Sequence, residues 1–249
     1  MQQKPKLSIV IPAHNEEAYI EDCLQAILTE QTRTECDLEI IVVNNASTDG
    51  TGAKARSFPS VRVIDEPRKG LVRARQTGFE ASTGELIGNV DADTRMPARW
   101  VERVLTEFEA DPNLVGLTGP CMYYDLSLWD NFWVRVSYKI GVCVNALCSL
   151  VTGKSGTMFQ GGNSVVRRTA LEAVGGYDFN FDFYGEDSAT ARRINKVGSI
   201  KFTPLLTMPT SGRRLQGEGL ITMAYKYFTN FIWTTLLGRP YSKEYKDIR

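Results

Sequence analysis

The stretch Leu7-Ser-Ile-Val-Ile-Pro-Ala-His-Asn-Glu-Glu17 decides the fold. Its first five residues are a short, nearly continuous apolar run rich in β-branched side chains, the pattern of a strand buried on both faces. Pro12 ends the run. Asn15 then stands where a helix could be capped, with Glu16, Glu17, Glu21 and Asp22 close to the positive end of that helix. Ile20, Leu24, Ile27 and Leu28 supply its apolar stripe. Outward from this unit the pattern repeats. Strands are expected over 38–43, 61–64, 86–90 and 114–118, a helix over 71–81, and another started by Pro97 and running to about Ala110. Strands alternating with helices at this spacing predict an α/β domain, a mostly parallel sheet with helices on both faces. Ligands of such sheets bind beyond the carboxyl ends of the strands. Three polar clusters fall at such ends: Pro12 to Asn15, Asn44 to Asp49, and Asp91 to Asp93.

Composition narrows the chemistry. The chain has 249 residues, 43% of them hydrophobic and 23% charged, which excludes a disordered tail and a disulfide-stapled miniprotein. Basic and acidic residues number 29 each, so net charge offers no reason to expect a nucleic-acid partner. His14 is the single histidine, and its position after the first strand suggests a polar contact rather than a base or ligand. Cys23, Cys36, Cys121, Cys143 and Cys148 form no C-x-x-C pair and read as reduced thiols of a cytosolic chain. The polar start Met1 to Lys6 and the brief run after it do not make a signal sequence, and no uninterrupted apolar stretch is long enough for a membrane span.

Val90-Asp91-Ala92-Asp93-Thr94 is the most informative pentapeptide. Two carboxylates one residue apart at a strand end can hold magnesium or manganese and share it with phosphate oxygens. The same spacing occurs in phosphatases with an aspartate nucleophile, but there the motif opens the domain, whereas here about 90 residues of βα pattern precede it. Glu186 and Asp187 form a second acidic site at a helix start, where one carboxylate could serve as a general base. Gly161-Gly162-Asn163 and Gly175-Gly176 leave room for close backbone approach. Arg167-Arg168 and Arg192-Arg193 read as solvated surface charges. Arg213-Arg214, in a glycine-bearing loop after Pro209, offers planar donors suited to a diphosphate.

Together these pieces resemble family 2 of the inverting glycosyltransferases with the GT-A fold. The match runs through Ile9 to Glu17, Ile41-Val-Val-Asn-Asn-Ala-Ser-Thr-Asp-Gly-Thr51, Gly70-Leu-Val-Arg-Ala-Arg-Gln-Thr-Gly78, Gly84-Glu-Leu-Ile-Gly-Asn-Val-Asp-Ala-Asp93, Gly161-Gly-Asn163 and Gly185-Glu-Asp187, in family order. The resemblance implies a Rossmann-like, mostly parallel mixed sheet and a nucleotide-diphosphate sugar donor. It implies that Pro12, Ala13 and Glu16 line the base and ribose pocket, and that Asn45 contacts the base where many members carry an aspartate. Asp91 would face the ribose or outer-shell water, Asp93 the Mn2+ or Mg2+ on the diphosphate, and Arg75, Arg213 and Arg214 the leaving diphosphate. Gly162 and Asn163 would border the acceptor, a glycan or lipid-linked hydroxyl compound. Asp187 would be the catalytic base and Glu186 its tuning neighbour. A polyprenyl-phosphate transferase and a noncatalytic nucleotide-sugar-binding protein are the alternatives.

On this reading residues 1–249 form one domain: a donor half over 1–119, an acceptor and catalytic half over 120–219, and an amphipathic tail over 220–249. Trp129 to Val151 and Leu220 to Leu237 carry aromatic stripes at helical spacing, the latter through Ile221, Tyr225, Phe228, Ile232 and Leu236. Such stripes ordinarily pack inside. The sharper expectation is a cytoplasmic enzyme held peripherally on the inner face of a membrane.

Overall fold

Helices cover both faces of the sheet because its strands are apolar on both. β1 (Leu7–Ala13) sends Leu7, Ile9 and Ile11 into one core and Val10 into the other. The computed structural model describes residues 7–152, 158–181 and 183–242, without the side chains of 148, 149, 151, 152, 221 and 236. Met1 to Lys6, and the side chains of Cys148, Ile221 and Leu236, therefore lie outside the described residues. After β1 come α1 (Ile20–Gln31), β2 (Leu38–Asn45), α2 (Thr51–Arg56), β3 (Val61–Glu66), α3 (Leu71–Ala81), β4 (Leu86–Val90), α4 (Trp100–Ala110) and β5 (Leu114–Thr118). β6 (Cys121–Tyr123), α5 (Leu128–Thr152), β7 (Asn163–Arg167), α6 (Arg168–Ala173) and α7 (Glu186–Ile194) follow. β8 (Ser199–Phe202), β9 (Met208–Thr210), α8 (Arg213–Glu218) and α9 (Leu220–Leu237) complete the described chain.

The seven-stranded sheet has the order β3-β2-β1-β4-β7-β5-β8. All neighbours are parallel except β7, which runs antiparallel to both β4 and β5. That reversal positions the site: Val90 at the end of β4 pairs with Asn163 at the start of β7, so the glycines before Asn163 reach the rim where β4 delivers Asp91. β6 and β9 form a small parallel sheet of their own at the same edge. On one face α1 and α4 pack through Ile20, Leu24, Ile27, Trp100, Val101 and Val104. On the other, α3 lies against β1 and β2, and a side chain at Gly78 would collide with Val10. Arg75, one turn earlier on α3, is thereby aimed at the rim.

Two helix starts differ from expectation. Asn15 does not cap α1. Its φ is 52°, its Oδ1 accepts from the Thr48 backbone N–H at 2.8 Å, and α1 begins only at Ile20. The side chain ties two loops together instead. Pro97 likewise does not open α4, which starts at Trp100 after the left-handed Arg99. Three of the four arginines expected to be solvated are structural. Arg167 Nε donates to Leu114 O, Arg168 Nε to Gly84 O, and Arg193 Nη1 to Gly176 O, each capping a carbonyl that a strand end or turn leaves over. Among the described residues no helix is long and apolar enough to cross a membrane.

Candidate active site

At the carboxyl edge of the sheet, where β1 and β4 part, lies a cleft lined by Pro12, Glu16, Arg75, Asp91, Asp93, Gly161, Gly162, Glu186, Asp187, Arg213 and Arg214, among others. Each aspartate of the Asp91-Ala92-Asp93 motif faces its own arginine. Arg75 Nη2 is 3.6 Å from Asp91 Oδ1, and Arg75 Nη1 donates to Glu186 Oε1. Arg213 Nη2 is 3.0 Å from Asp93 Oδ2 and 2.5 Å from Glu16 Oε1. Arg75 is sealed inside, its side chain 3% exposed. Arg213 is 19% exposed and lies over the Tyr19 ring. Arg214 stacks on Phe183 and pairs with Glu218 at 3.3 Å.

Burial sets the acidities. The Asp93 carboxyl is pushed up to about 6 by desolvation and by the negative Asp91 and Glu16, with Arg213 and the Thr210 hydroxyl pulling the other way. Asp187 is pushed up to about 7, first by burial and then by Glu186; the Ser188 N–H, donating to its Oδ1 at 2.7 Å, opposes the shift. Gly185, at φ 79°, forms the turn that delivers Glu186 and Asp187, and Thr234 of α9 occupies the space where a side chain there would stand. Gly161 and Gly162 are bare for a related reason: a Cβ on the first would meet Arg75 and Glu186, and on the second the Asp91 carboxylate.

Among the described residues, five carboxyl groups and three guanidiniums line the cleft, a formal surplus of two acids that burial keeps partly protonated at Asp93 and Asp187. No three metal-binding side chains among the described residues gather into a closed set. Asp91, 45% exposed, and Asp93 together fit a hard divalent cation that takes its remaining oxygens from a phosphate-bearing ligand. One such ion would match the formal surplus.

Several expected contacts are not made in the cleft. The Asn45 amide donates to Glu66 O and Arg68 O and accepts from the Gly70 N–H, which fastens β2 to the start of α3. Both of its amide hydrogens are thereby used within the protein. Asn163 is fully buried: Nδ2 donates to Gly119 O and Leu206 O, and Oδ1 accepts from Trp100 Nε1. It holds the cleft wall from behind rather than bordering an acceptor. Ala13 is buried in the core beneath Pro12. His14 makes the polar contact its position suggested, donating Nδ1 to Asn45 O at 2.7 Å. The cleft also contains Thr210, Tyr123, Gln160 and Tyr227, which sequence reasoning missed. Thr210 and Tyr123 sit on β9 and β6, three-residue strands too short to show a period.

A mixed sheet with one reversed strand and an acidic, arginine-lined cleft at its carboxyl edge is the architecture of the GT-A class. The profile for "Glycosyl transferase family 2" matches residues 8–175, and the chain belongs to that family. It is 37% identical over 127 residues to the uncharacterized glycosyltransferase EpsJ of Bacillus subtilis, an alignment covering 49% of this chain and 35% of EpsJ. The chain thus spans about a third of that relative. The fold is similar to mannosyltransferase PcManGT from Pyrobaculum calidifontis in complex with GDP-Man and Mn2+: TM-score 0.65, 24% identity, 89% of this chain and 63% of that one. It is also similar to glucosyl-3-phosphoglycerate synthase from Mycobacterium tuberculosis in complex with Mn2+, UDP-glucose and phosphoglyceric acid: TM-score 0.62, 20% identity, 96% of this chain and 81% of that one.

Proposed function

We propose that the chain is an inverting glycosyltransferase that moves a sugar from a nucleoside-diphosphate donor to an acceptor hydroxyl. The observation that carries the reading is Asp187, a buried carboxylate whose acidity is pushed up to about 7, in the same cleft as Asp91, Asp93, Arg213 and Arg214. A base poised near working pH is what deprotonation of an alcohol requires. An already anionic phosphate acceptor would need no base, which favours a hydroxyl acceptor over a polyprenyl phosphate.

In the proposed displacement the acceptor oxygen attacks the anomeric carbon as its proton passes to Asp187. The bond from that carbon to the diphosphate oxygen breaks on the opposite face, so configuration inverts. The leaving nucleoside diphosphate takes the electron pair, and Arg213 and Arg214 stabilise the charge that develops. Asp91 and Asp93 would hold Mn2+ or Mg2+, which when bound neutralises diphosphate charge as a Lewis acid. Glu186, fixed by Arg75, keeps negative charge beside Asp187 and so keeps it basic. Pro12 and Glu16 border the donor side, and Gly162 gives the acceptor side a wall without a side chain.

The test is Asp187→Asn. Product formation from nucleotide-sugar donors should be nearly abolished, while the thermal shift produced by a nucleoside diphosphate with manganese persists. Full transfer by that variant would remove Asp187 from the base role. A chain that hydrolyses and transfers no donor at all, yet binds one, would be the noncatalytic binding protein.

A further inference from the structure

We propose that the outward faces of α5 and α9 form a docking surface for an anionic lipid bilayer. The expectation that these stripes pack inside is not met. α5 turns Asn131, Val134 and Tyr138 inward, and the opposite side carries Leu128, Trp129, Phe132, Trp133, Ile140, Leu147 and Leu150 into solvent. Trp129, Phe132 and Trp133 are 67%, 50% and 44% exposed and pack on one another, with ring centroids 5.6–5.8 Å apart. α9 is built inside out. Met223, Asn230 and Thr234 face the protein, the Asn230 Oδ1 accepting the Tyr241 and Ser242 N–H groups, while Tyr225, Phe228 and Trp233 face solvent. Exposed aromatic clusters of this kind mark an interaction surface rather than ordinary surface apolarity.

Charge identifies the occupant. Residues 131–160 contain Arg135, Lys139 and Lys154 and no acid; residues 219–249 contain five basic and two acidic residues. These stretches hold eight of the 29 basic residues and two of the 29 acidic ones, so the rest of the chain carries a net charge of −6. Of the eight, Arg135 and Lys139 of α5, Lys226 of α9 and Arg239 lie among the described residues, with Asp130 the one acid of the two helices and Lys226 paired to Glu218. An excess of basic over acidic residues on helices that expose aromatic rings is the composition of an interfacial segment on an anionic leaflet. A second copy would bring like charge against like charge.

The surface is fastened to the cleft. The Tyr138 hydroxyl of α5 accepts from the Cys121 N–H at 3.0 Å, and Asn131 exchanges two hydrogen bonds with Tyr123; Cys121 and Tyr123 line the cleft, as do Met223 and Tyr227 of α9. Docking would bring the cleft to the bilayer and so select an acceptor hydroxyl carried on a lipid. That last step rests on the transferase reading; the docking does not.

Sedimentation of the full chain with phosphatidylcholine vesicles, with and without phosphatidylglycerol, tests the proposal. At low salt the chain should pellet with the anionic vesicles. F132S/W133S should weaken binding by about tenfold or more, and R135Q/K139Q by about fivefold per charge removed. Unchanged circular dichroism and melting temperature would show that both variants fold. No pelleting with anionic vesicles, or equal pelleting of F132S/W133S, would overturn the proposal. So would a dimer in sedimentation velocity that F132S/W133S converts to monomer, since a second copy would then cover the face. If the transferase reading alone is wrong, vesicle binding stays while transfer is absent with every acceptor.

Discussion

Arg75 and Arg213 make the same connection twice, each joining one aspartate of the Asp91-Ala92-Asp93 motif to a glutamate from another element. Their surroundings differ. Arg75 comes from the middle of a helix pressed on the sheet and has almost no contact with solvent; Arg213 is the first residue of a six-residue helix at the cleft mouth. A guanidinium already committed inside the protein cannot turn toward an arriving ligand without abandoning a buried carboxylate. Arg213 also holds a buried glutamate, Glu16, but at 19% exposed and at the cleft mouth it lies where an arriving ligand can reach it. We therefore propose Arg75 as a positioning residue for Glu186 and Asp91, and Arg213 as the better candidate for contact with a leaving diphosphate.

The largest effect expected is on chemistry. Asp187→Asn should lower kcat by about 10²–10⁴-fold, the usual worth of a positioned base, measured by nucleoside diphosphate release with acceptor present. Arg213→Ala should follow, lowering kcat by about 10²–10³-fold, as for other donors aimed at developing negative charge. Arg75→Met should show the opposite balance. It leaves Glu186 buried and unpaired, so chemical denaturation should register a loss of about 3–5 kcal/mol. Equal stability losses at the two arginines would break the distinction between them.

Smaller effects concern pH. Transfer should rise as pH passes through about 7, because Asp187 must lose its proton to act, and the profile of kcat/KM should carry that acidic limb. The same raised acidity affects folding with a definite sign. The folded chain holds this proton more tightly than the unfolded chain, so the site's contribution to stability is full below the ordinary aspartate range and declines as pH rises through 7. Asp187→Asn should therefore be more stable than the parent at pH 8, by about 1–3 kcal/mol, and indistinguishable from it near pH 3. Denaturant melts at the two pH values would check this.

The first five strands were legible because each is a compact apolar run: those expected over 86–90 and 114–118 are β4 and β5 residue for residue. The later strands were not. β6 and β9 have three residues each, and β7 takes its place from pairing partners far away in sequence. The motif aspartates, Glu186, Asp187 and the arginine pair of α8 were visible as residue types, and the fold brings them to one cleft. Asn45 and Asn163 misled for a shared reason. An amide at a strand end looks available for a ligand, but a side chain able both to donate and to accept is equally what a crowded turn of backbone needs. Only tertiary structure decides between those uses.

The reversed strand β7 has a consequence for how such a protein could diversify. The chain leaves the sheet at Thr118 and rejoins it beside the same point, with Thr118 paired to Ser164. The stretch between, including β6 and the aromatic helix, is topologically one long hairpin loop whose two ends, Cys121 and Tyr123 on one side and Gly161 and Gly162 on the other, belong to the cleft. The helical middle of that loop could be lengthened, shortened or grafted from a relative, with those ends kept, without shifting β1 and β4, the strands that lead into Glu16, Asp91 and Asp93. Changes in what receives the sugar could then accumulate there while the machinery that holds the donor stays in register.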